Sequence, residues 1–407
     1  MRPTTYHHLT NTLRRGSRSR LTQQQQQQRY HHRTLNISGL ASTRFASTGF
    51  QRCAIRAQVP GKALTIRCFS SSTATLKEQA PAAEEDSENF WRVSADDSQF
   101  WDDYVSTRPK YNDAFYNEIY NHHKAHSSKW EVAHDVGCGA GQVSEELASR
   151  FAHVVASDIN DTHLVVAKRR LQPNFSAERI SYTHCMGEDI IKHHAPGSAD
   201  LVAAAEAMVL MDEKVALENF QRLLRPGGTL AFWFYGRPTF SDLKLRAQAQ
   251  PLIDAIMVRN WAKVIRGSGE KRIAGFKRAA EGMASWLDYV PLDPEAWTDV
   301  RRIKWNTSAT LPFFGEEACG FPIKATSSVK PREHVEEREN PNWWRNDWDL
   351  AELKKYFRVL FPGFQAAIGE GDEEINRMFA ELETYFEGEG KIRQFTWPAV
   401  LVTATRK

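Results

Sequence analysis

The sequence predicts an α/β chain built on a doubly wound, mostly parallel seven-stranded sheet of Rossmann-like type, with a helical lid inserted over its carboxyl edge. Three observations carry this. Gly137, Gly139 and Gly141 stand at every second position of DVGCGAGQ, Asp135 to Gln142, between a short apolar run and a helical one. An acidic residue, Asp158, closes the next apolar run. Further on, LLRPGGTLAFW, Leu223 to Trp233, ends a helix, turns through Pro226, Gly227 and Gly228, and enters an apolar strand.

Taken in order, Glu78 to Glu88 is rich in Ala, Glu and Pro and reads as a linker, followed by helical sequence containing YVSTRPKY, Tyr104 to Tyr111. Trp130 to Val136 is a first strand, and Val143, Leu147 and Phe151 recur at helical spacing after the glycines. His153 to Ser157 is a second strand. Asn160 to Leu171 is a helix opened by Asn and Asp. Arg179 to Cys185, Ala199 to Ala205 and Thr229 to Tyr235 supply strands three to five, with a helix from about Asp212 to Leu224 before the last. Strands alternating with helices favour a parallel sheet. Phe240 to Trp286 is amphipathic and too long for a connection, so it is read as the lid. Val300 to Thr307 is a sixth strand, a loop rich in Pro, Glu and Trp runs to Trp348, and helices near Leu350 to Phe361 and Glu373 to Phe386 precede a seventh strand, Phe395 to Thr405. The expected organisation is a segment 1–77, a linker 78–95, a cofactor-binding core 96–236, a lid 237–298 and a C-terminal part 299–407 that completes the sheet.

Of the 407 residues, 41% are hydrophobic, enough for a sizeable core. Residues 1–77 contain no Asp or Glu but 13 of the 53 basic residues, and a run of six glutamines. Basic, Ser-rich, acid-poor sequence of this kind reads as a mitochondrial transit peptide, with RCFSS at Arg67 to Ser71 or the stretch Arg44 to Ser47 as processing sites; the alternative is a low-complexity tail on a cytoplasmic protein. The remaining 40 basic residues face all 50 acidic ones, so the body is acidic and nucleic acid is not an expected partner. No apolar run approaches the roughly 20 residues that span a bilayer. Cys53, Cys68, Cys138, Cys185 and Cys319 show no paired spacing, and the clusters His122, His123, His126 and His193, His194 lack carboxylate or cysteine ligands at motif spacing, so no metal is expected. Nothing in the sequence sets an oligomeric state.

The glycine loop points to a nucleotide-type cofactor. A dinucleotide fingerprint needs glycine where Gln142 stands, to seat a pyrophosphate on the helix end. The G-x-G-x-G spacing therefore favours S-adenosylmethionine, whose sulfonium and amino group also suit Asp135. Asp158 is placed to accept hydrogen bonds from both ribose hydroxyls.

DVGCGAGQ, ASDIN at Ala156 to Asn160, and RPGGTLAFW together resemble the class I, type 11 methyltransferases over roughly Tyr104 to Tyr235. More narrowly, YVSTRPKYNDAFYNEIYNHH at Tyr104 to His123, the pair Glu188 and Asp189, and AEAM at Ala205 to Met208 resemble the fungal trans-aconitate methyltransferase group. The resemblance implies an antiparallel last strand and S-adenosylmethionine along the carboxyl edge. It implies that Asp135 and the backbone of Gly137 and Gly139 hold the methionine portion, Asp158 the ribose, and Gly187, Glu188 and Asp189 the adenine. Ala205 would accept from the cofactor amino group, and Tyr104, Arg108 and Tyr111 would close over it. The chain departs from that family at Val209, Leu210 and Met211, where an aromatic and histidine-containing segment is common. The Trp343, Trp344, Arg345 loop has no counterpart in it.

These readings imply methyl transfer to a small molecule. For a carboxylate acceptor of the trans-aconitate kind, already ionised at neutral pH, positioning matters more than a base, and Arg108, Arg237, Arg345 and Arg358 are the candidate grip. The alternative acceptor is a phenol or quinone-type molecule in a pocket of Val209, Leu210, Met211, Trp233, Phe234 and Tyr235, with Glu206, Tyr235 and nearby histidines as candidate bases. A third reading is a noncatalytic cofactor-binding assembly protein. Its mark would be loss of Asp135, a motif glycine or Asp158, and all are present. A nucleic-acid or protein amide methyltransferase would show an Asn-Pro-Pro-aromatic segment where AEAMVL stands.

Overall fold

The computed structural model describes residues 93–407, apart from 267, 309–310, 312–315, 361–371 and 389. The chain divides into two units, Met1–Lys77 and Glu78–Lys407, and the description concerns the second. The segment 1–77 with its expected processing sites, the linker up to residue 92, and the end of the helix expected near Leu350 to Phe361 lie outside the described residues.

Two helices precede the sheet. α1 (Ser98–Thr107) starts where the Asp97 side chain accepts from the Phe100 N–H, and α2 (Asp113–His126) where Asn112 does the same for Phe115. The core follows as β1 (Val132–Val136), α3 (Gln142–Leu147), β2 (His153–Asp158), α4 (Asp161–Leu171), β3 (Ile180–His184), β4 (Ala199–Ala205), α5 (Glu213–Leu223) and β5 (Leu224–Tyr235). Beyond it come β6 (Thr239–Phe240), α6 (Leu243–Arg266), α7 (Glu270–Ala284), β7 (Trp297–Trp305), α8 (Glu316–Cys319), β8 (His334–Arg338), β9 (Asn346–Trp348), α9 (Leu350–Leu360), α10 (Glu373–Phe386), β10 (Arg393–Thr396) and β11 (Ala399–Arg406).

The main sheet has eight strands in the order β3-β2-β1-β4-β5-β11-β7-β8. β1 to β5 are parallel, β11 runs antiparallel to both β5 and β7, and β8 is parallel to β7. The predicted class holds, with one strand more than the seven expected. The extra strand, HVEER, is a charged, largely exposed edge strand with no apolar alternation to announce it. Such charge protects an edge from pairing with another chain. Several boundaries also move: β5 begins at Leu224 instead of Thr229, so the expected turn through Pro226, Gly227 and Gly228 lies within the strand, and β7 runs Trp297–Trp305 instead of Val300 to Thr307. The predicted Phe395 to Thr405 strand is broken at Trp397 and Pro398, because proline cannot donate to a ladder. Its first part joins a separate three-stranded sheet, β6-β10-β9. The helix after the glycine loop stops at Leu147, and Phe151 enters the core from a turn instead.

β4, β5 and β11 are buried along almost their whole length, as a sheet covered on both faces requires. The Trp-rich loop supplies part of that cover. Trp343 stacks on Trp305 with ring centroids 4.3 Å apart, and Trp344 lies 5.0 Å from Phe115 and 5.2 Å from Tyr111. What read as an unplaced loop is a plug for the aromatic core.

Candidate active site

A cavity of about 1060 Å³ opens along the carboxyl ends of β1, β2, β4 and β5. Its floor is the glycine loop. Gly137, Gly139 and Gly141 all have left-handed φ, at 73°, 52° and 78°, which side-chain-bearing residues rarely adopt. A Cβ on Gly137 would meet Ala207 Cβ at 2.7 Å, and one on Gly141 would meet Leu171 at the same distance. Gly139 differs: its nearest neighbour would be the Tyr104 hydroxyl at 3.8 Å, so its open side belongs to the cavity. The N–H groups of Gly137 and Cys138 donate to Ser157 O at 2.8 and 2.9 Å, locking the loop to β2.

Two carboxylates flank this loop. Asp158 takes one bond from Gly139 N and one from Asn160 N, both at 2.9 Å, and His163 Nδ1 lies 3.3 Å from its Oδ1. Asp135 is fully buried at the end of β1. Its Oδ2 accepts from the Ser144 hydroxyl at 2.6 Å, while Oδ1 has no partner, and burial pushes its carboxyl up to about 7. A buried acceptor with nothing to accept is costly unless a ligand donates to it. A cationic amine would do so and would restore the ionised form. The open face at Gly139, the unpartnered Asp135 oxygen and the ribose-level carboxylate of Asp158 together fit an aminoacyl nucleoside such as S-adenosylmethionine.

The roof comes from α1 and the segment after it. The Arg108 guanidinium lies 4.7 Å from the Tyr104 ring centre. Arg108 donates to Tyr235 Oη at 3.1 Å and to the carbonyls of Val359 and Leu360 at 3.3 and 3.2 Å. Tyr111 packs edge-on against Trp233, with ring centroids 5.4 Å apart. Glu206 sits between floor and roof with a left-handed φ of 57°, accepting from Tyr235 N at 2.7 Å. Burial pushes its carboxyl up to about 8.

Tyr104, Arg108, Tyr111, Asp135, Gly137, Gly139, Asp158, Gly187, Glu188, Ala205 and Tyr235 all line the cavity. Gly141 and Asp189 stand just behind the lining; Gly141 makes room for Leu171, and Asp189 pairs with Lys192 at 2.8 Å. The other arginines of the candidate grip do not converge there. Arg237 is buried in a two-point ion pair with Asp254, Arg345 is exposed and paired with Asp347 at 3.1 Å, and Arg358 faces outward on α9. Their places are taken by Arg272 and Arg278 of α7, which line the cavity with Phe276 and Met283. Arg272, Phe276 and Met283, with Ala279, recur on one helix face, a signal present in the sequence but without meaning until α7 is known to lie over the cavity, while the exposed Arg278 lines it from the neighbouring flank. His163 was also missed. It follows Asp158 by five residues and stacks edge-on against Trp101, with centroids 5.5 Å apart.

This strand order, with an antiparallel strand between β5 and β7 and a glycine loop feeding the cavity, defines a class I methyltransferase. A methyltransferase-domain family model matches residues 134–232. The methyltransferase pgmE of Aspergillus terreus is 39% identical over 330 residues, spanning 80% of this chain and 98% of its own. Methyltransferase ptaI of Pestalotiopsis fici is 36% identical over 320 residues, spanning 76% and 93%. Among solved structures, geranyl diphosphate methyltransferase in complex with S-adenosylmethionine gives a TM-score of 0.30 at 15% identity, over 72% of this chain and 84% of that one. The chain belongs to the class I S-adenosylmethionine-dependent methyltransferases, alongside these fungal relatives, and is a methyltransferase enzyme.

Proposed function

We propose that the chain methylates an oxygen of a small aromatic acceptor, a phenol or quinone-derived molecule, with S-adenosylmethionine as donor. The observation that carries this reading is Glu206: a half-buried carboxyl with its pKa raised to about 8, in a cavity whose walls include the apolar Val209, Met211, Phe234, Met257 and Phe276. A carboxylate acceptor needs no base, whereas a phenol does, and a raised carboxyl is suited to take its proton near neutral pH.

In this reading Asp158 takes the ribose hydroxyls. Asp135 Oδ1 and the backbone of Gly137 and Gly139 take the methionine portion, Ala205 the amino group, and Gly187 and Glu188 the adenine, with Asp189 behind them. Tyr104, Arg108 and Tyr111 cover the site. Bound there, S-adenosylmethionine supplies an electrophilic methyl group whose leaving group is already activated by the sulfonium charge. The protein's own work is to hold the acceptor oxygen in line, exclude water with the apolar wall, and accept the phenolic proton at Glu206.

A second reading keeps the carboxylic acid of the trans-aconitate kind. It is supported by Arg272 and Arg278, the cavity-lining guanidiniums of α7, with Arg108 as a third. Incubation with methyl-labelled S-adenosylmethionine and a panel of phenols and small carboxylic acids separates the two by product mass. Aryl methyl ethers support the phenol reading; methyl esters alone overturn it in favour of the acid. The acid-free segment 1–77 supports a mitochondrial matrix address, tested by fusing it to a fluorescent reporter.

A further inference from the structure

At the amino-terminal end of β5 and β7, away from the cavity, the fold assembles three side chains that methyl transfer does not use. His122 and His126 stand one turn apart on α2, their rings 4.8 Å apart. The sequence offered no carboxylate at ligand spacing, but β7 supplies one. Asp299 Oδ2 lies 3.7 Å from His122 Nδ1 and 3.3 Å from His126 Nε2, and all three ligand atoms fall within 4.8 Å of one another.

Each residue is placed there by a specific device. The pairing of β7 with β11 slips between Thr403 and Thr405, forming a bulge that includes Asp299, whose φ of 45° is left-handed. Bulges of this kind re-aim a side chain away from the ladder. His126 Nδ1 lies 2.9 Å from the carbonyl of His122, which has only lone pairs, so Nδ1 carries the proton and Nε2 turns its lone pair toward Asp299. His122 Nε2 lies 2.9 Å from Thr405 Oγ1; with the proton there, the Nδ1 lone pair faces Asp299 and accepts from the Thr403 hydroxyl at 3.1 Å, a bond that a metal ion would replace. Fixing the tautomer through the second ring nitrogen is how ligating histidines are held in metal sites.

The result is two imidazole lone pairs and a carboxylate oxygen converging on one point. Such a convergence is repulsive unless a cation sits within it. We propose that His122 Nδ1, His126 Nε2 and Asp299 Oδ2 form a binding site for a divalent transition metal of the zinc class, with water as the fourth ligand. In a tetrahedral site with bonds of about 2.0–2.1 Å, donors stand about 3.3 Å apart; Asp299 Oδ2 is already near that distance from both imidazole nitrogens, and the widest spacing in the group, up to 4.8 Å, requires the two imidazoles to draw together around the ion. Asp299 is 46% exposed and His126 26%, which gives the ion an entry path and the water its place. None of the three lines the cavity. The site is therefore structural, joining the end of α2 to the sheet.

Full-length protein, freed of metal, is titrated with Co²⁺ and the visible ligand-field absorption is read. One Co²⁺ per chain with tetrahedral-type bands, displaced by Zn²⁺, is expected. Asp299→Asn and His126→Gln, both altering partly exposed side chains, lose the bands while circular dichroism is unchanged. Thr405→Val keeps them with affinity lowered about 10- to 100-fold. Wild type without bands would mean that a proton bridges the group, and bands that persist in both variants would place the metal on other histidines; either result overturns the site.

Discussion

Arg108 holds Tyr235: its guanidinium donates to the tyrosine hydroxyl at 3.1 Å, and its other terminal nitrogen reaches the carbonyls of Val359 and Leu360. One side chain thus ties α1, β5 and α9 together above the cavity. The fork geometry of arginine permits three acceptors at once. The charge is half-buried among tyrosines, and the Tyr235 hydroxyl in turn is pushed well above its usual range by burial. The cation positions the roof more than it offers a free hand to a substrate.

Arg108→Leu should therefore destabilise the protein even without cofactor. It strands a hydroxyl and two carbonyls, with an expected loss of about 2–3 kcal/mol. Arg108→Lys should recover part of it, since a single ammonium cannot span all three acceptors. Urea unfolding followed by circular dichroism measures this, and an unchanged midpoint for the Leu variant would contradict the roof role.

The glycines separate folding from binding. Gly137→Ala places a Cβ 2.7 Å from Ala207 at a left-handed φ, so both the clash and the backbone, the latter about 1–2 kcal/mol, act on the fold. Gly139→Ala carries only the backbone term, because the nearest atom is 3.8 Å away, but its methyl projects into the cavity. Gly139→Ala should fold with a modest drop in melting temperature and bind S-adenosylmethionine poorly by calorimetry. Gly137→Ala should lose folded protein first.

Glu206 as base gives a pH signature. With its carboxyl raised to about 8, kcat/KM for a phenol acceptor should climb tenfold per pH unit below about 8 and level off above it. Glu206→Gln should lower the plateau by about 10²- to 10⁴-fold and remove that limb. Methyl ester formation from a carboxylic acid should show neither effect. A wild-type profile flat from pH 6 to 9 with phenols would remove Glu206 from the role.

What the sequence disclosed is what local pattern can encode. The alternating glycines, the apolar runs of β1 to β5 and the position of Asp158 are settled within a few residues of one another, so spacing alone reads them. β8 is invisible because a charged edge strand carries no apolar alternation. Arg272 and Arg278 had no visible role because the lid's seat over the cavity is a long-range packing outcome. Asp299 could not be joined to His122 and His126 because a bulge in the β7–β11 ladder, not sequence spacing, aims it. The arginine grip failed to assemble for a similar reason: Arg237 and Arg345 each found a carboxylate nearby, at Asp254 and Asp347.

Asp135 links stability to the cofactor. Burial raises its folded-state pKa to about 7, above the unfolded value of about 3.9, so between pH 4 and 7 the folded chain holds a proton that the unfolded chain has released. Its contribution is therefore most favourable below about pH 4, declines as pH rises to about 7, and is flat beyond. Glu206 has the same sign over a range ending near 8, so the comparison must be wild type against a single variant. Asp135→Asn keeps an oxygen for the Ser144 hydroxyl but cannot ionise. Without cofactor it should match wild type near pH 4 and exceed it at pH 8, by an amount on the order of a few kcal/mol. Binding should show the converse: wild-type affinity for S-adenosylmethionine weakens as pH falls below about 7, and the variant binds weakly at every pH. Equal stability at pH 8 would mean that the carboxylate has a partner other than Ser144 in solution, and the same affinity in both proteins would remove Asp135 from the cofactor.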